Sequence, residues 1–217
     1  MGNQVEKVKQ KSSQGRPKSK KDQIVKAAVK TFLQHGYADT SMNQVAEEAG
    51  VIKATIYSHY ADKQALFKAV IEEVVLKKAD LGNMTNQAQL AALSLDEFFD
   101  TLTARLLRLF KDNEYLRLIR VVIGESERFP EIADLYLRTV VVKAMEFGQS
   151  YFKLHPELGI SDPLAAAHIF CSSFWSLMMW QKLLGGEKYV LLESKRVKKV
   201  LVELLSANAK EAKKRRV

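Results

Sequence analysis

Hydrogen-bonding side chains are crowded into one short segment, residues 50–63, which reads GVIKATIYSHYADK. The hydroxyl and imidazole groups in its centre belong to Thr55, Tyr57, Ser58 and His59. Such groups bind phosphate oxygens or base edges when they share an exposed helix face. Lys53 and Lys63 bracket the segment, and their charges would suit them to clamp phosphates.

Two short helices must position these groups. Ser41 and Gln44 form a capping box that begins the first helix, and Gly50 ends it. The second helix is predicted from about Lys53 to Tyr60. At helical spacing its inward face is Val51, Ile56 and Tyr60, and its outward face is Thr55, Ser58 and His59. The pattern fits a helix-turn-helix whose second helix enters the major groove, and it fits a generic packed hairpin about equally well.

The rest of the chain repeats apolar residues at helical spacing, which predicts an all-α fold. An amphipathic helix precedes Gly36, and Asp62 can cap a fourth, long helix. Further helices are predicted near 95–110, 112–127, 131–153, 163–184 and 189–208, and residues 82–93 are interpreted as a linker. The domains are predicted to be a basic arm at 1–20, a DNA-binding domain at 21–66, a helical effector-binding and dimerisation domain at 67–208 and a basic tail at 209–217.

The net charge of +9 is concentrated at both ends of the chain. Residues 1–21 carry seven Lys or Arg and one Glu, and residues 193–217 carry nine basic and three acidic residues. This indicates solvated tails, or attraction to nucleic acid or to an anionic membrane surface. A single cysteine, Cys171, rules out an intrachain disulfide and favours the cytoplasm. The uncharged run from Leu164 to Trp180 is too short to span a membrane.

Residues 24–71 resemble the N-terminal domain of the TetR/AcrR family of bacterial transcriptional regulators. The resemblance rests on IVKAAVKTFLQHGY, TSMNQVAEEAGV and KATIYSHYADKQALF, in this order and at this spacing. Two positions depart from the family pattern. Ile52 stands where a small hydroxyl residue is usual and cannot bind a phosphate, and Ala54 stands where glycine is frequent and could contact a thymine methyl group.

The resemblance implies a helical homodimer that binds a palindromic DNA operator, and a C-terminal domain that binds a small molecule. Residues 117–141 look like the subgroup with an AefR-like C-terminal domain. The residues assigned to DNA are Thr40, Ser41, Lys53, Ala54, Thr55, Tyr57, Ser58, His59 and Lys63. Arg16, in the arm before the first helix, is expected to enter a minor groove, unless the arm is only a solvated tail.

The helix predicted at 163–184 carries two apolar stripes and should be buried on both sides. The stripe with His168, Cys171 and Trp175 is assigned to the effector pocket. The stripe with Phe170, Phe174, Leu177 and Leu184 is assigned to the dimer interface. Phe147, Tyr151, Gly124 and Arg120 are expected to complete the pocket, and an apolar or aromatic effector is predicted. Arg120 would bind a ligand carboxylate or pair with a nearby glutamate.

An enzyme is the weakest alternative. His168 and Cys171 share a helix face and could form a catalytic pair, but ordinary packing explains them better. No zinc spacing or phosphate-binding glycine loop is present, so no metal or cofactor is expected. The sequence therefore predicts a cytoplasmic repressor released by its effector. An activator or sensor-less protein of the same fold, and a basic membrane-surface protein, remain as alternatives.

Overall fold

A computed structural model describes residues 19–77 and 87–214, and all regular elements in these ranges are helical. The α-helices are α1 (Lys20–His35), α2 (Met42–Glu48), α3 (Lys53–His59), α4 (Lys63–Ile71), α5 (Gln87–Ala92), α6 (Leu95–Phe110), α7 (Asn113–Glu125), α8 (Pro130–Tyr136), α9 (Val142–Leu154), α10 (Pro163–Leu177) and α11 (Ser194–Lys214). The all-α prediction is therefore confirmed for the described part of the chain.

Some helices continue as π-helical turns. Helix α4 extends through Glu72–Lys77, and α10 extends through Met178–Leu183. A third π-helical turn, Leu137–Val141, joins α8 to α9 without a break. The single helix predicted at 131–153 is thus observed as one continuous helical path.

The N-terminal unit packs α1 against α2 and α4. Its first two helices begin at capping boxes, Ser19 with Asp22 and Ser41 with Gln44, and the second was predicted from sequence. Asp62 caps α4 as expected, because its side chain accepts the Ala65 N–H at 2.7 Å. Local hydrogen-bonding chemistry therefore sets these helix starts.

The larger body is built around aromatic rings from α6, α9 and α10. Phe98 of α6 stacks on Tyr151 of α9 with ring centroids 3.7 Å apart. Phe99 contacts Phe170 of α10 edge to face at 4.6 Å. Close aromatic contacts of this kind fill the space between the three helices and stabilise the body.

The predicted boundaries agree with the structure to different extents. Residues 87–92 form α5, so the linker predicted at 82–93 is wrong there, and residues 82–86 lie outside the described ranges. The last helix begins at Ser194 rather than near 189. The predicted domain boundary at 66 falls inside α4, which packs against both α1 and α8.

Candidate DNA-binding site and effector domain

The turn between α2 and α3 depends on Gly50. Its φ of +61° lies in the left-handed region that glycine adopts without steric cost. Its N–H donates to the Glu47 carbonyl at 3.0 Å, and the Val51 N–H donates to the Ala46 carbonyl at 3.0 Å. These bonds end α2 and turn the chain sharply into α3, as a helix-turn-helix requires.

Helix α3 has the two faces that its sequence predicts. Ile56 and Tyr60 are buried against the N-terminal core, and Thr55 is half-buried. The exposed side chains are Lys53, Ala54, Tyr57, Ser58 and His59. The outward surface therefore presents a cation, two hydroxyl groups and an imidazole, which suits it to phosphates and base edges. Contact of each residue with DNA stays a prediction.

Internal contacts organise part of this surface. The Lys53 ammonium lies 5.7 Å from the centre of the Tyr57 ring, one helical turn away, in a cation–π contact. The Ser58 hydroxyl donates to the Thr55 carbonyl at 2.8 Å, so only its lone pairs remain for an external donor. The Ser58 hydroxyl already donates within α3, whereas the Lys53 ammonium and the Tyr57 hydroxyl remain available as donors to DNA.

Thr40 does not lie on this surface. Its side chain is buried, and its hydroxyl donates to the Gly36 carbonyl at 2.7 Å. The Thr40 hydroxyl closes the loop after α1, so the predicted contact of this side chain with DNA gains no support from the structure. Ser41 is exposed, and its hydroxyl accepts the Gln44 N–H at 3.2 Å as the cap of α2.

Lys63 also differs from its predicted role. Its ammonium donates to the carbonyl oxygens of Tyr37, Ala38 and Thr40 at 2.8, 3.2 and 3.0 Å. These bonds use all three N–H donors of a lysine, so none is left for a phosphate. Burial lowers the pKa of Lys63 from its ordinary value, and the nearby Glu125 carboxylate acts in the opposite direction. Lys63 thus acts as a structural cation of the loop in this structure, and its predicted phosphate contact stays a prediction without structural support.

Glu125, at the end of α7, was not predicted to have a role at this site. Its carboxylate accepts the N–H groups of Tyr37 at 2.6 Å and Ala38 at 2.7 Å. Nothing in the sequence links residues so far apart, and only the packing of α7 on α1 brings them together. Arg16, the residue expected in a minor groove, lies outside the described residues.

The two stripes of α10 face the opposite way from the prediction. Phe170, Phe174 and Leu177 are buried inside the subunit, where Phe170 contacts the rings of α6, so they do not form the dimer interface. Leu184, the fourth predicted interface residue, is 73% exposed.

The stripe assigned to the pocket is only partly buried, although Met178, which belongs to it, is fully buried. His168 is exposed, with its Nε2 3.3 Å from the Ser172 hydroxyl, and Cys171 and Trp175 are half-buried. Burial raises the pKa of the Cys171 thiol to about 11, which is the opposite of an activated nucleophile. The Cys171–His168 catalytic alternative therefore gains no support.

Two other residues of the predicted pocket are also exposed. Arg120 projects away from the buried face of α7 and donates to the Leu183 carbonyl at 3.3 Å rather than to a glutamate. A Cβ atom added to Gly124 would meet nothing within 4 Å, so this glycine is not required by packing. Both residues lie outside the buried interior, because α7 turns its Leu118 and Ile119 face inward, so their assignment to the pocket gains no support and stays a prediction.

Phe147 and Tyr151 do face the aromatic interior. The Phe147 ring lies 5.7 Å from Phe98, and the Tyr151 hydroxyl donates to the Leu93 carbonyl at 3.3 Å. A different, open cleft of about 650 Å³ lies between α1 and α7. It is lined by Lys26, Val29, Lys30, Leu33, Gln34, Glu114 and Arg117.

Residues 19–77 and 87–214 contain neither a group of three or more His, Cys, Asp or Glu residues that could hold a metal ion nor a helix long and apolar enough to cross a membrane.

Comparisons with known proteins agree with the division of the chain into an N-terminal unit and a larger body. The family model described as bacterial regulatory proteins, tetR family, matches residues 24–70. The model described as AefR-like transcriptional repressor, C-terminal domain, matches residues 97–205.

Individual relatives extend the match. The chain is 27% identical to the HTH-type transcriptional regulator YhgD of Bacillus subtilis (strain 168) over 171 residues, which cover 75% of this chain and 85% of YhgD. It is 38% identical to the HTH-type transcriptional repressor ComR of Escherichia coli (strain K12) over 66 residues, 30% of this chain and only 31% of ComR.

A solved structure shares the whole architecture. The flavonoid-responsive regulator FrrA is 25% identical, with a TM-score of 0.67 over 88% of this chain and 96% of that one. The helix-turn-helix, the helical body and both family matches lead to one conclusion. The chain belongs to the TetR family of bacterial regulators and is a DNA-binding transcriptional regulator with an AefR-like C-terminal domain.

Proposed function

We propose that this regulator is a dimeric, cytoplasmic repressor that leaves a palindromic operator when a small molecule binds its body. The observation that carries the proposal is the orientation of α3. Buried Ile56 and Tyr60 anchor the helix, and Lys53, Tyr57 and His59 project outward from it. A palindrome is expected because a two-fold dimer presents two identical helices to successive major grooves, about 34–36 Å apart.

A second copy of the chain is expected to cover the exposed apolar residues of α10, α11 and the segment between them. These residues are Leu164, Ile169, Trp180, Leu184, Val200 and Leu204. Trp180 is 65% exposed in the single chain, which is unusual for so large a ring. This surface replaces the predicted interface of Phe170, Phe174 and Leu177, and it keeps Leu184.

The effector is proposed to be apolar or aromatic. Support comes from the rings of Phe98, Phe147 and Tyr151 between α6 and α9, and from the name of FrrA as a flavonoid-responsive regulator. An aromatic ligand that separated these stacked rings would favour a second arrangement of the body. Operator affinity would then fall if that arrangement held the two α3 helices at the wrong spacing.

Selection of bound sequences from random duplex DNA tests the proposal. We expect a palindrome whose half-site centres are one helical turn apart, and its loss in a Tyr57→Ala, Lys53→Ala double variant. A matched control is Lys153→Ala, which alters an exposed lysine on α9, away from the proposed dimer surface. Enrichment of no sequence, or of a site without two-fold symmetry, would contradict the proposal. A reporter downstream of the selected operator then separates repressor from activator, and a flavonoid panel on this reporter tests release.

A further inference from the structure

The loop between α1 and α2, residues 36–41, is held by two opposite charges from outside it. The Glu125 carboxylate accepts the N–H groups of Tyr37 and Ala38, and the Lys63 ammonium donates to carbonyls of the same loop. The negative carboxylate thus faces N–H groups and the positive ammonium faces carbonyl groups, and both form charge-assisted hydrogen bonds. Lys63 belongs to the DNA-binding unit, whereas Glu125 belongs to the body.

The backbone of this loop leaves space for the Glu125 carboxylate at Gly36. Gly36 has a φ of +83°, and a Cβ atom added there would lie 2.4 Å from Glu125 Oε1. Any side chain at residue 36 would therefore both strain the backbone and displace the carboxylate. The glycine permits the close approach of α7 as well as ending α1.

Aromatic contacts hold the same junction together. The Tyr37 ring meets Phe67 of α4 at 5.1 Å and Phe129 at 5.3 Å, both edge to face. Phe129 is the residue before α8, and its N–H donates to the Glu125 carbonyl at 2.8 Å. The turn between α7 and α8 is therefore linked to residues 37 and 38 both through the Glu125 carboxylate and through the Phe129 ring.

The loop leads directly into the DNA-binding helices, since Ser41 at its end caps α2. We propose that Glu125 is a positioning residue for DNA binding, which fixes the helix-turn-helix relative to the body through residues 36–38. Displacement of the α7–α8 turn then frees the DNA-binding unit to change its orientation. The inference rests on the proposed operator binding, and it places the link between the body and the DNA-binding unit at the end of α7.

The dependence of affinity on half-site spacing tests this role in the full-length dimer. The operator is shortened or lengthened by one base pair between its half-sites, and the Kd is measured for each DNA. The affinity of the unaltered protein is expected to fall at least tenfold on either change in spacing. The Glu125→Gln variant has an amide with one acceptor oxygen where the carboxylate has two. It is expected to bind the optimal operator at least fivefold more weakly than the unaltered protein. Its affinity should fall by less than threefold on either change in spacing.

Matched controls separate positioning from charge and from folding. Glu127→Gln removes the same charge from an exposed residue two positions away and should keep the spacing preference of the unaltered protein. Circular dichroism confirms that each variant is folded at the assay temperature. If Glu125→Gln does not fold, Glu125→Asp, which keeps the charge but has a shorter reach, takes its place with the same expected spacing profile.

Each outcome decides between the two proposals. If Glu125→Gln binds with unchanged affinity, or loses affinity equally at all spacings, the positioning role of Glu125 is overturned. The proposal of operator binding would still stand. No operator binding by the unaltered protein would overturn both proposals. Faster hydrogen exchange at the Tyr37 and Ala38 amides in Glu125→Gln, with the exchange of α9 unchanged, is the accompanying result expected if the carboxylate holds this loop.

Discussion

The ammonium of Lys63 lies 3.0 Å from the carbonyl oxygen of Thr40, so a lysine of α4 closes the loop that precedes α2. Two further carbonyls of the loop accept from the same ammonium, which also lies 4.4 Å from the centre of the Tyr37 ring. A cation in this position stabilises the folded loop, and its effect on DNA is indirect.

Replacing Lys63 by methionine should therefore reduce stability and leave the electrostatics of DNA binding unchanged. Charged hydrogen bonds support an expected loss of about 2 kcal/mol in the free energy of unfolding, measured by urea denaturation at one protein concentration. The salt dependence of operator binding should keep its slope.

Lys53→Met is the matched variant for this prediction. Lys53 is exposed on α3, so its loss should change unfolding by less than about 0.5 kcal/mol. It should reduce the salt slope by about one per half-site if it contacts a phosphate. The reverse pattern, with a lower salt slope for Lys63→Met and unchanged stability, would restore the original assignment of Lys63 to DNA.

Gly148 and Gly124 lie within helices but should respond oppositely to alanine. A Cβ atom at Gly148 would lie 3.0 Å from the Ala167 Cβ, where α9 and α10 pack closely, whereas Gly124 has open space around it. Gly148→Ala should destabilise the protein by about 1 kcal/mol or more through overpacking. Gly124→Ala should stabilise it by up to about 1 kcal/mol through helix propensity.

Urea denaturation of both variants checks this pair, and Ala167→Gly offers a compensating change. If the clash at Gly148 is real, the Gly148→Ala, Ala167→Gly double variant should lose less stability than the sum of the two single variants. An increase in stability in Gly148→Ala would show instead that α9 and α10 separate easily at this point.

Local features of the fold were predictable because their causes lie within a few residues. The capping box at Ser41, the cap at Asp62 and the inward position of Ile56 each depend on neighbours in sequence. The orientation of α10 was not predictable from apolar residues alone, since both of its stripes are apolar. Its polar residues are the better signal, because His168 and Ser172 are exposed on the side opposite Phe174.

The roles of Lys63 and Glu125 could not be read from sequence for a different reason. Both bind backbone groups, and the N–H and carbonyl groups of residues 37–40 are the same for any residue types. These loop groups have no partners within secondary structure. Only the packing of α4 and α7 against the loop shows that Lys63 and Glu125 supply their hydrogen bonds. Gly36 is the exception, because the absence of its side chain leaves room for the Glu125 carboxylate.

The Cys171 thiol should react slowly with alkylating reagents in the folded protein. Only the thiolate reacts, and burial raises the pKa of this thiol to about 11. At about pH 8 the thiolate fraction is then roughly two orders of magnitude below that of an ordinary cysteine with a pKa of about 8.5. Iodoacetamide labelling followed by mass spectrometry checks the rate, with the urea-unfolded protein as control. Labelling of the folded protein within tenfold of the unfolded rate would contradict the buried position and reopen a reactive role for Cys171.

Ile52 and Ala54 are expected to make the operator preference depend on thymine methyl groups. Ile52 is 72% exposed beside the first residue of α3, and Ala54 is exposed on the same surface. Neither side chain can donate to a phosphate, but both can pack on the C5 methyl group that distinguishes thymine in the major groove.

Replacing single operator thymines by uracil removes only this methyl group. Burial of one methyl group is worth about 0.8 kcal/mol, so the Kd should rise about fourfold for each contacted thymine that is replaced. The Ile52→Ser variant, or Ala54→Gly if Ala54 makes the contact, should bind the thymine and uracil operators equally at that position. Uracil at a thymine outside the operator is the control and should have no effect. If no thymine in the operator shows a methyl effect, the apolar residues are only tolerated at the surface, and specificity must come from the donors of α3 alone.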